Sequence, residues 1–239
     1  MIQVTDLEVV YGKTVAVRDV SFHAKGGSIL SIIGPNGSGK SSLLKSLIGL
    51  VRPIQGRIEI EESAIFDADS NVSAIGYMPQ SPFFPKNMKV AELIDFFKRL
   101  EAVDAAEYSA LYETLGLKDY EDRKFGSLSG GTKQKVNILQ CFSTKKPIYI
   151  VDEPTASLDP YISHLLKDLL KRKKEEGALV IFSTHILSEV EEISDRFLLM
   201  AEGRLLIDDS PKEFIAKKQK GNLQSTLMEF WNQEFLKTK

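Results

Sequence analysis

Alternating apolar and polar residues dominate the first third of the chain. The runs IQVTDLEVV, TVAVRDVSF and SILSII lie between residues 2 and 33 and are separated by glycine-containing turns, which predicts hairpins leading into one core strand. The run SSLLKSLIGL begins at Ser41, has helical spacing instead, and is ended by Gly49 and Pro53. The pattern therefore predicts a strand, a glycine-rich loop and a helix in direct succession.

Strand-like and helix-like patterns alternate through the rest of the chain. Residues 56–80 return to a strand-like pattern, whereas residues 90–118 have helical spacing. The short apolar runs IYIVDE and ALVIFSTH have the form of buried parallel strands, with a helix predicted between them over residues 161–175. This alternation predicts an α/β fold with a mostly parallel sheet and helices on both faces, into which a helical subdomain at about residues 88–143 is inserted.

Local signals define helix ends and turns in the second half of the chain. We expect Ser188 and Glu191 to form a capping box at the start of the helix after ALVIFSTH, and a hairpin to turn at Glu202 and Gly203. The basic run at residues 171–174 is typical of a solvated helix end. The predicted buried stripe of the helix that carries this run consists of Leu165, Leu166, Leu169 and Leu170.

Composition narrows the possible classes of function. The chain has 239 residues with 31 basic and 33 acidic side chains, so its net charge of -2 gives no sign of nucleic-acid binding. Cys141 is the only cysteine, which excludes an internal disulfide and a cysteine-rich metal site and fits a cytosolic compartment. No run approaches the ~18 apolar residues needed to cross a bilayer. We therefore expect any function at a membrane to depend on another subunit.

A glycine-rich loop carries the strongest chemical signal. The sequence GPNGSGKS, from Gly34 to Ser41, fits the pattern G-x-x-x-x-G-K-[ST] and lies between a predicted strand and a predicted helix. Glycines let successive backbone N–H groups surround phosphate oxygens, and the helix N-terminus adds a favourable dipole. Lys40 is expected to reach the β- and γ-phosphates, and Ser41 to ligate Mg²⁺. The strand-loop-helix context favours a nucleotide site over a bare glycine-rich turn.

Two adjacent acids end the run IYIVDE. Ligands of open α/β sheets bind beyond the carboxyl ends of the strands, and Asp152 and Glu153 lie there. Adjacent strand residues point to opposite sides, so we expect two roles. Asp152 is predicted to hold Mg²⁺ through water, and Glu153 to polarise a water that attacks the γ-phosphate. A solvated strand end is the alternative, which the phosphate loop disfavours.

Four other residues are weaker candidates. Gln80 and His185 each follow a predicted strand, where they could contact the γ-phosphate or its water, although a lone histidine is more often structural. Asp159 precedes Pro160, a pattern typical of a helix N-cap. Tyr11 is either an ordinary aromatic at a strand end or a surface on which a base stacks.

The order of these motifs resembles the nucleotide-binding subunit of ATP-binding cassette (ABC) transporters. The similarity covers residues 2–210 and includes an aromatic A-loop, Walker A, a Q-loop, the LSGG signature at residues 128–131, Walker B, a D-loop and a switch histidine. The resemblance implies that catalysis involves Glu153, His185 and Gln80, and that Mg²⁺ is bound by Ser41, Gln80 and Asp152. The residues implied in ATP binding are Tyr11, Gly34, Pro35, Asn36, Gly37, Ser38, Gly39, Lys40, Ser41, Ser42, Ser129, Gly130, Gly131 and Asp159.

The resemblance also implies an architecture and an assembly. The expected fold is that of a P-loop NTPase, with a RecA-like core, an N-terminal antiparallel β-subdomain and the inserted helical subdomain. Residues 1–210 would form this ATPase domain, and residues 211–239 a short helical tail. Two such domains would pack head to tail, with each ATP between the Walker A loop of one and the LSGG turn of the other. A homodimer is the simplest assembly, and pairing with a paralogue is the alternative.

The activity implied by the family is ATP hydrolysis coupled to transport through separate transmembrane permease subunits, at the cytoplasmic face of the cell membrane. The tail sequence TLMEFWNQEF resembles the terminal helix of subunits that serve multidrug export or copper-enzyme maturation, which favours export. One departure is Thr132, where relatives often have Gln, but Ser129 and Gly130 remain for phosphate contact. Two alternatives stay open: an importer ATPase, and a non-transport ABC ATPase acting as an assembly or regulatory module.

Overall fold

Two β-sheets form the centre of the molecule. The structure is a computed structural model that describes residues 1–61, 63–67, 72–100, 105–155, 157–218 and 221–237. The strands in these residues are β1 (Ile2–Tyr11), β2 (Thr14–Ala24), β3 (Ser28–Ile33), β4 (Gln55–Ile60), β5 (Ser63–Ala64), β6 (Ile75–Met78), β7 (Ile148–Asp152), β8 (Leu179–Ser183), β9 (Arg196–Ala201) and β10 (Arg204–Asp209).

Helices surround these sheets. Those in the described part of the chain are α1 (Lys40–Leu47), α2 (Val90–Leu100), α3 (Ala105–Thr114), α4 (Gly130–Phe142), α5 (Pro160–Glu175), α6 (Leu187–Ile193), α7 (Pro211–Lys218) and α8 (Leu223–Lys237). Short 3₁₀ turns are Val72–Ala74, Leu117–Tyr120 and Phe125–Ser127. Within the described residues, no helix combines the length and the apolar character that a membrane span requires.

The larger sheet has six strands in the order β10, β9, β3, β8, β7, β6. All neighbours are parallel except β9 and β10, which form the antiparallel hairpin expected at Glu202 and Gly203. β7 and β8 are buried along their whole length, because helices cover both faces. Ile150 packs in the cluster that contains α1, whereas its neighbour Val151 packs in the cluster that contains α4 and α5. The predicted α/β architecture is confirmed.

The smaller sheet is antiparallel, with the strand order β2, β1, β4, β5. One residue in two along the start of β1 is buried, beginning with Ile2 and Val4, and these residues share a cluster with Leu43 and Leu44 of α1. Helix α1 is therefore enclosed between the two sheets. The N-terminal antiparallel subdomain that the family resemblance implied is confirmed.

The parallel strands bring distant residues to one edge of the larger sheet. β3 leads into the loop before α1, β6 is followed closely by Gln80, β7 by Glu153 and β8 by His185. In the register of β7 and β8, Asp152 lies opposite Ser183. Since the carboxyl ends of parallel strands meet at the same edge, this topology assembles the candidate site.

Two details of the sequence prediction for α5 are wrong. Leu165 is only partly buried, and Ile162 takes its place in the core. Lys173 was expected in solvent but is 1 % exposed. Its Nζ donates to the carboxylates of Glu107 on α3, at 2.6 Å, and of Glu176, at 3.2 Å. Helical periodicity does not reveal that a second helix supplies a counter-ion.

The predicted capping box of the helix after β8 is also wrong. Helix α6 begins at Leu187, so Ser188 lies inside its first turn. The Glu191 carboxylate instead accepts a hydrogen bond from the backbone N–H of Leu223, at the start of α8. Glu191 therefore caps a different helix from its own, which sequence spacing alone could not indicate.

Candidate active site

The loop between β3 and α1 requires glycine at its two ends. Gly34 has φ 150° and Gly39 has φ 103°, values that L side chains rarely adopt. A Cβ on Gly34 would lie 2.1 Å from the carbonyl oxygen of Met200, and one on Gly39 would lie 2.2 Å from that of Ala16. The loop is therefore pressed against β9 and β2, which fixes its path around the space where phosphates are expected.

Lys40 at the start of α1 is 6 % exposed. Its Nζ donates to the carbonyl oxygens of Gly34, at 2.9 Å, and Pro35, at 3.2 Å. Burial lowers the pKa of Lys40, while the charges of Glu153 and Asp152 oppose that change. The ammonium group thus spans the loop, close to two carboxylates and inside a partly dehydrated site.

Asp152 and Ser41 face each other across the site. The Ser41 hydroxyl lies 3.3 Å from Oδ1 of Asp152, which also accepts a hydrogen bond from Ser183 Oγ. The charge of Asp152 adds to the effect of burial in raising the pKa of Tyr77 to about 12. A hydroxyl and a carboxylate oxygen are hard ligands that suit Mg²⁺, which usually takes one or two protein ligands together with phosphates and water. The residues present therefore fit the predicted metal.

Glu153 lies beside both of the other predicted catalytic residues. Gln80 Nε2 donates to Glu153 Oε2 at 2.8 Å, and His185 Nδ1 lies 3.6 Å from the same oxygen. Glu153 follows β7 with φ 44°, so its direction comes from a left-handed turn and not from the strand alternation that was expected. Its backbone N–H donates to both oxygens of Ser183. Gln80 contacts the Glu153 carboxylate here and not the Ser41–Asp152 pair.

An open cavity of about 670 Å³ runs along the phosphate loop, lined by Gly34–Ser42 together with Gln80, Glu153 and His185. Residues 14–16 of β2 also line it, although the sequence reasoning did not select them. Their position directly after the predicted aromatic turn is the sequence feature that could have indicated them as lining residues. Tyr11 lies at the end of β1, 46 % exposed and paired with Thr14, outside the cavity lining.

The remaining predicted residues form a separate surface. Ser129, Gly130, Gly131 and Asp159 are absent from the cavity lining. Ser129 is the N-cap of α4, since its Oγ accepts from Thr132 N at 3.2 Å. Asp159 is the predicted N-cap of α5 and accepts from Ile162 N at 3.0 Å. A Cβ on Gly131 would lie 3.1 Å from the carbonyl oxygen of Ser157, so the LSGG turn and the loop before α5 are neighbours.

Comparisons of the sequence with known proteins all lead to the same family. The sequence profile of the family described as ABC transporter matches residues 17–156. The uncharacterized ABC transporter ATP-binding protein YxlF of Bacillus subtilis (strain 168) is 32% identical over 80% of this chain and 64% of its own length. The Nod factor export ATP-binding protein I of Burkholderia orbicola (strain AU 1054) is 31% identical over 86% of this chain and 69% of its own. The chain thus spans less than two thirds of the length of YxlF.

Solved structures show the same architecture. The structure of an ATP binding subunit of an ABC transporter superposes with a TM-score of 0.87 at 28% identity, covering 96% of this chain and 98% of the other. A dimeric ATP-binding cassette in a post-hydrolysis state, bound to ADP and Pi, has a TM-score of 0.75 at 25% identity, covering 88% and 98%.

Proposed function

Since this chain belongs to the ABC transporter family, we propose that it is the ATP-hydrolysing subunit of an exporter, working as a dimer that closes around two ATP molecules. The observation that carries the proposal is the position of Glu153. Its carboxylate meets Gln80 and His185 at the rim of the cavity beside Lys40. This is the arrangement that a water-activating group needs next to a phosphate site.

The residues of the cavity divide the work of phosphoryl transfer. Lys40 exchanges its carbonyl contacts for phosphate oxygens, because a buried ammonium gains more from charged than from neutral acceptors. Ser41 and Asp152 would hold Mg²⁺, which would supply positive charge beside the phosphates. Gln80 fixes Oε2 of Glu153 and leaves Oε1 to accept a proton from the attacking water. His185 lies where it can contact the γ-phosphate.

The LSGG turn completes the site from a second copy. Ser129 and Gly130 are exposed at the N-terminus of α4 and lie outside their own subunit's cavity. Exposed N–H groups at a helix N-terminus attract anions. In the dimer they contact the γ-phosphate held by the partner's phosphate loop, so ATP closes the dimer and hydrolysis releases it.

Transport requires separate membrane subunits, and the dimer lies against their cytoplasmic face. A contact next to Gln80 would connect such a subunit to the catalytic carboxylate. Phe83, three residues beyond Gln80, is 92% exposed and offers an apolar side chain there. Purification of the chain from native membranes in detergent should bring a multi-span membrane protein with it, whereas soluble partners alone would contradict the transport part of the proposal.

The variant Glu153→Gln tests the ATPase assignment. It keeps the size of the side chain but removes the proton acceptor, so turnover should fall at least about 100-fold while ATP affinity stays within about threefold. With ATP and Mg²⁺ the variant should accumulate as a dimer twice the mass of the chain. Phosphate release, nucleotide binding and mass measurement give the three readouts.

The matched control is Glu113→Gln, which removes an exposed carboxylate on α3. It should leave turnover and mass unchanged. Undiminished hydrolysis by Glu153→Gln would contradict the role of Glu153 as the group that activates water. A trapped species that contains a different chain would replace the homodimer with a paralogue pair.

A further inference from the structure

Helix α4 carries two amide side chains that are buried beside the apolar core. Gln134 is 3% exposed and Asn137 is fully buried. They lie three residues apart, on one side of the helix, and Asn137 Nδ2 donates to Gln134 Oε1 at 3.0 Å. Their helix neighbours Val136 and Ile138 belong to the apolar cluster around α5. Burying two amides costs free energy unless they are hydrogen-bonded, so their partners matter.

Those partners are consecutive carbonyl groups beyond β6. Asn137 Nδ2 donates to the carbonyl oxygen of Pro79 at 2.9 Å. Gln134 Nε2 donates to the carbonyl oxygen of Gln80. The side chain of Gln80 then donates to Glu153 Oε2 at 2.8 Å. One continuous set of hydrogen bonds therefore connects α4 to the carboxylate at the rim of the cavity.

The other end of this connection is the LSGG turn. Ser129 caps α4, and Gln134 follows five residues later, a rise of about 7.5 Å along one rigid helix. A displacement of the turn is carried to Gln134 with little loss, because the intervening residues are helical. Within one subunit, two side-chain hydrogen bonds thus connect the helix of the LSGG turn to Glu153. Gln134 donates to the Gln80 carbonyl group, and the Gln80 side chain donates to Glu153.

A role in packing alone would be served better by apolar residues. Asn137 Oδ1 is buried and has no hydrogen-bond partner within the described residues. Leaving a buried acceptor unpaired costs about 1–3 kcal/mol, which an apolar residue of similar shape would avoid. The amide is useful at this position because its donors bind Pro79 and Gln134.

We infer that Gln134 and Asn137 are positioning residues, which set the geometry of Glu153 according to whether the LSGG turn of the same subunit is engaged. The inference rests on the proposed dimeric ATPase. There the LSGG turn of a subunit contacts the ATP held by its partner, whereas Glu153 acts on the ATP held by the subunit itself. The link makes hydrolysis at one site depend on ATP at the other, which appears as positive cooperativity.

The variant Asn137→Leu tests this link, because leucine has a similar shape and lacks the amide donors. We expect kcat to fall about tenfold, KM to change less than twofold, and the Hill coefficient for ATP hydrolysis to fall from between 1 and 2 to 1. The thermal unfolding midpoint should fall by only a few degrees, since removal of the unpaired Oδ1 partly offsets the loss of the donor to Pro79 and Gln134. The matched control is Gln140→Leu, a half-buried position on the same helix, which should keep wild-type kinetics.

Each result bears on the link. A folded Asn137→Leu variant with wild-type kcat and Hill coefficient would overturn it, as would an equal loss in Gln140→Leu or a wild-type Hill coefficient of 1. If Asn137→Leu does not fold, Gln134→Met removes the other amide and takes the same readouts. A wild-type chain that neither hydrolyses ATP nor dimerises would overturn the proposed function and the link together, whereas an unaffected variant of a cooperative wild type overturns the link alone.

Discussion

Lys173 shows how one buried charge joins the helical block to the core. Burial is the largest influence and acts to lower its pKa, but Glu107, Tyr149 and Glu176 together outweigh it, so the pKa is raised above the ordinary 10.5. Arg172 bonds the same carboxylate from a more exposed position. Because α3 carries Glu107 and α5 carries Lys173, the pair fixes these two helices relative to each other.

The variant Lys173→Met should lower the free energy of unfolding by about 2 kcal/mol. Breaking a fully buried pair costs about 3–5 kcal/mol, and the loss is smaller here because Arg172 still contacts Glu107. A raised folded pKa means that the contribution of Lys173 is fully present below pH 10.5 and is lost as the pH rises through the higher folded value. Urea unfolding should therefore give the same difference in the free energy of unfolding between the variant and the wild type at every pH from 6 to 9.

The control for this variant is Lys174→Met, whose ion pair with Asp195 is partly exposed. It should cost less than about 1 kcal/mol. If the two variants lost equal free energy of unfolding, the buried pair with Glu107 would stabilise the fold no more than an exposed ion pair does.

At the scale of elements, the N-terminus of α5 combines a structural and a functional prediction. The Asp159 carboxylate caps the helix, and the resemblance assigns the same residue to ATP binding. Asp159→Ala should lower the free energy of unfolding by about 1 kcal/mol, whereas Asp159→Asn should change it by only a few tenths. We expect Asp159→Asn to reduce ATP turnover nevertheless, because its charge is lost.

Chemical unfolding and phosphate release on the same samples separate the two roles. Full turnover in Asp159→Asn would limit this residue to its cap. Loss of stability in both variants would mean that the charge, and not the hydrogen bond, supports the helix.

The C-terminal helix α8 lies closer to the site than a separate tail would. Its residues Leu227, Met228 and Trp231 line a cavity of about 620 Å³ together with Asn36 of the phosphate loop and His185. Glu191 ties its first turn to α6, the helix that begins two residues after His185. We propose residues 1–210 as the ATPase domain, with the tail packed against it and not independent of it.

At the scale of the whole molecule, the proposed dimer joins the LSGG turn of one copy and the phosphate loop of the other into one site. Ser129→Arg places a large charged side chain at the exposed start of α4. ATP binding by the monomer should stay within about threefold of the wild type, because Ser129 does not line its own cavity. Turnover should fall at least about 100-fold, and the double variant with Glu153→Gln should stay monomeric with ATP and Mg²⁺.

The control variant Ser129→Ala removes the same cap without adding bulk, and costs about 1 kcal/mol of stability. Mass measurement with ATP and Mg²⁺ compares both variants in the Glu153→Gln background. A dimer formed by the arginine variant would mean that the turn is only a helix cap.

Much of the candidate site could be predicted because its motifs are contiguous. The phosphate loop, the acids after β7 and the histidine after β8 each follow a short apolar run, and parallel strands place their carboxyl ends together. Other contributors left no such signal. Ser183 bonds Asp152 from 31 residues away, and Asn137 bonds Pro79 from 58 residues away.

The sequence by itself determined the order of strands and helices, the α/β class, and the family to which the glycine loop and the LSGG turn belong. These follow from local periodicity and from residue types at fixed spacing, which act within a few residues of the chain. Only the tertiary structure decided that Glu153 turns towards Gln80, that Lys173 is buried, and that two amides of α4 bind the carbonyl groups of Pro79 and Gln80. Those outcomes depend on which helix packs against which loop, and hydrophobic patterns record that a residue is buried but not what it touches.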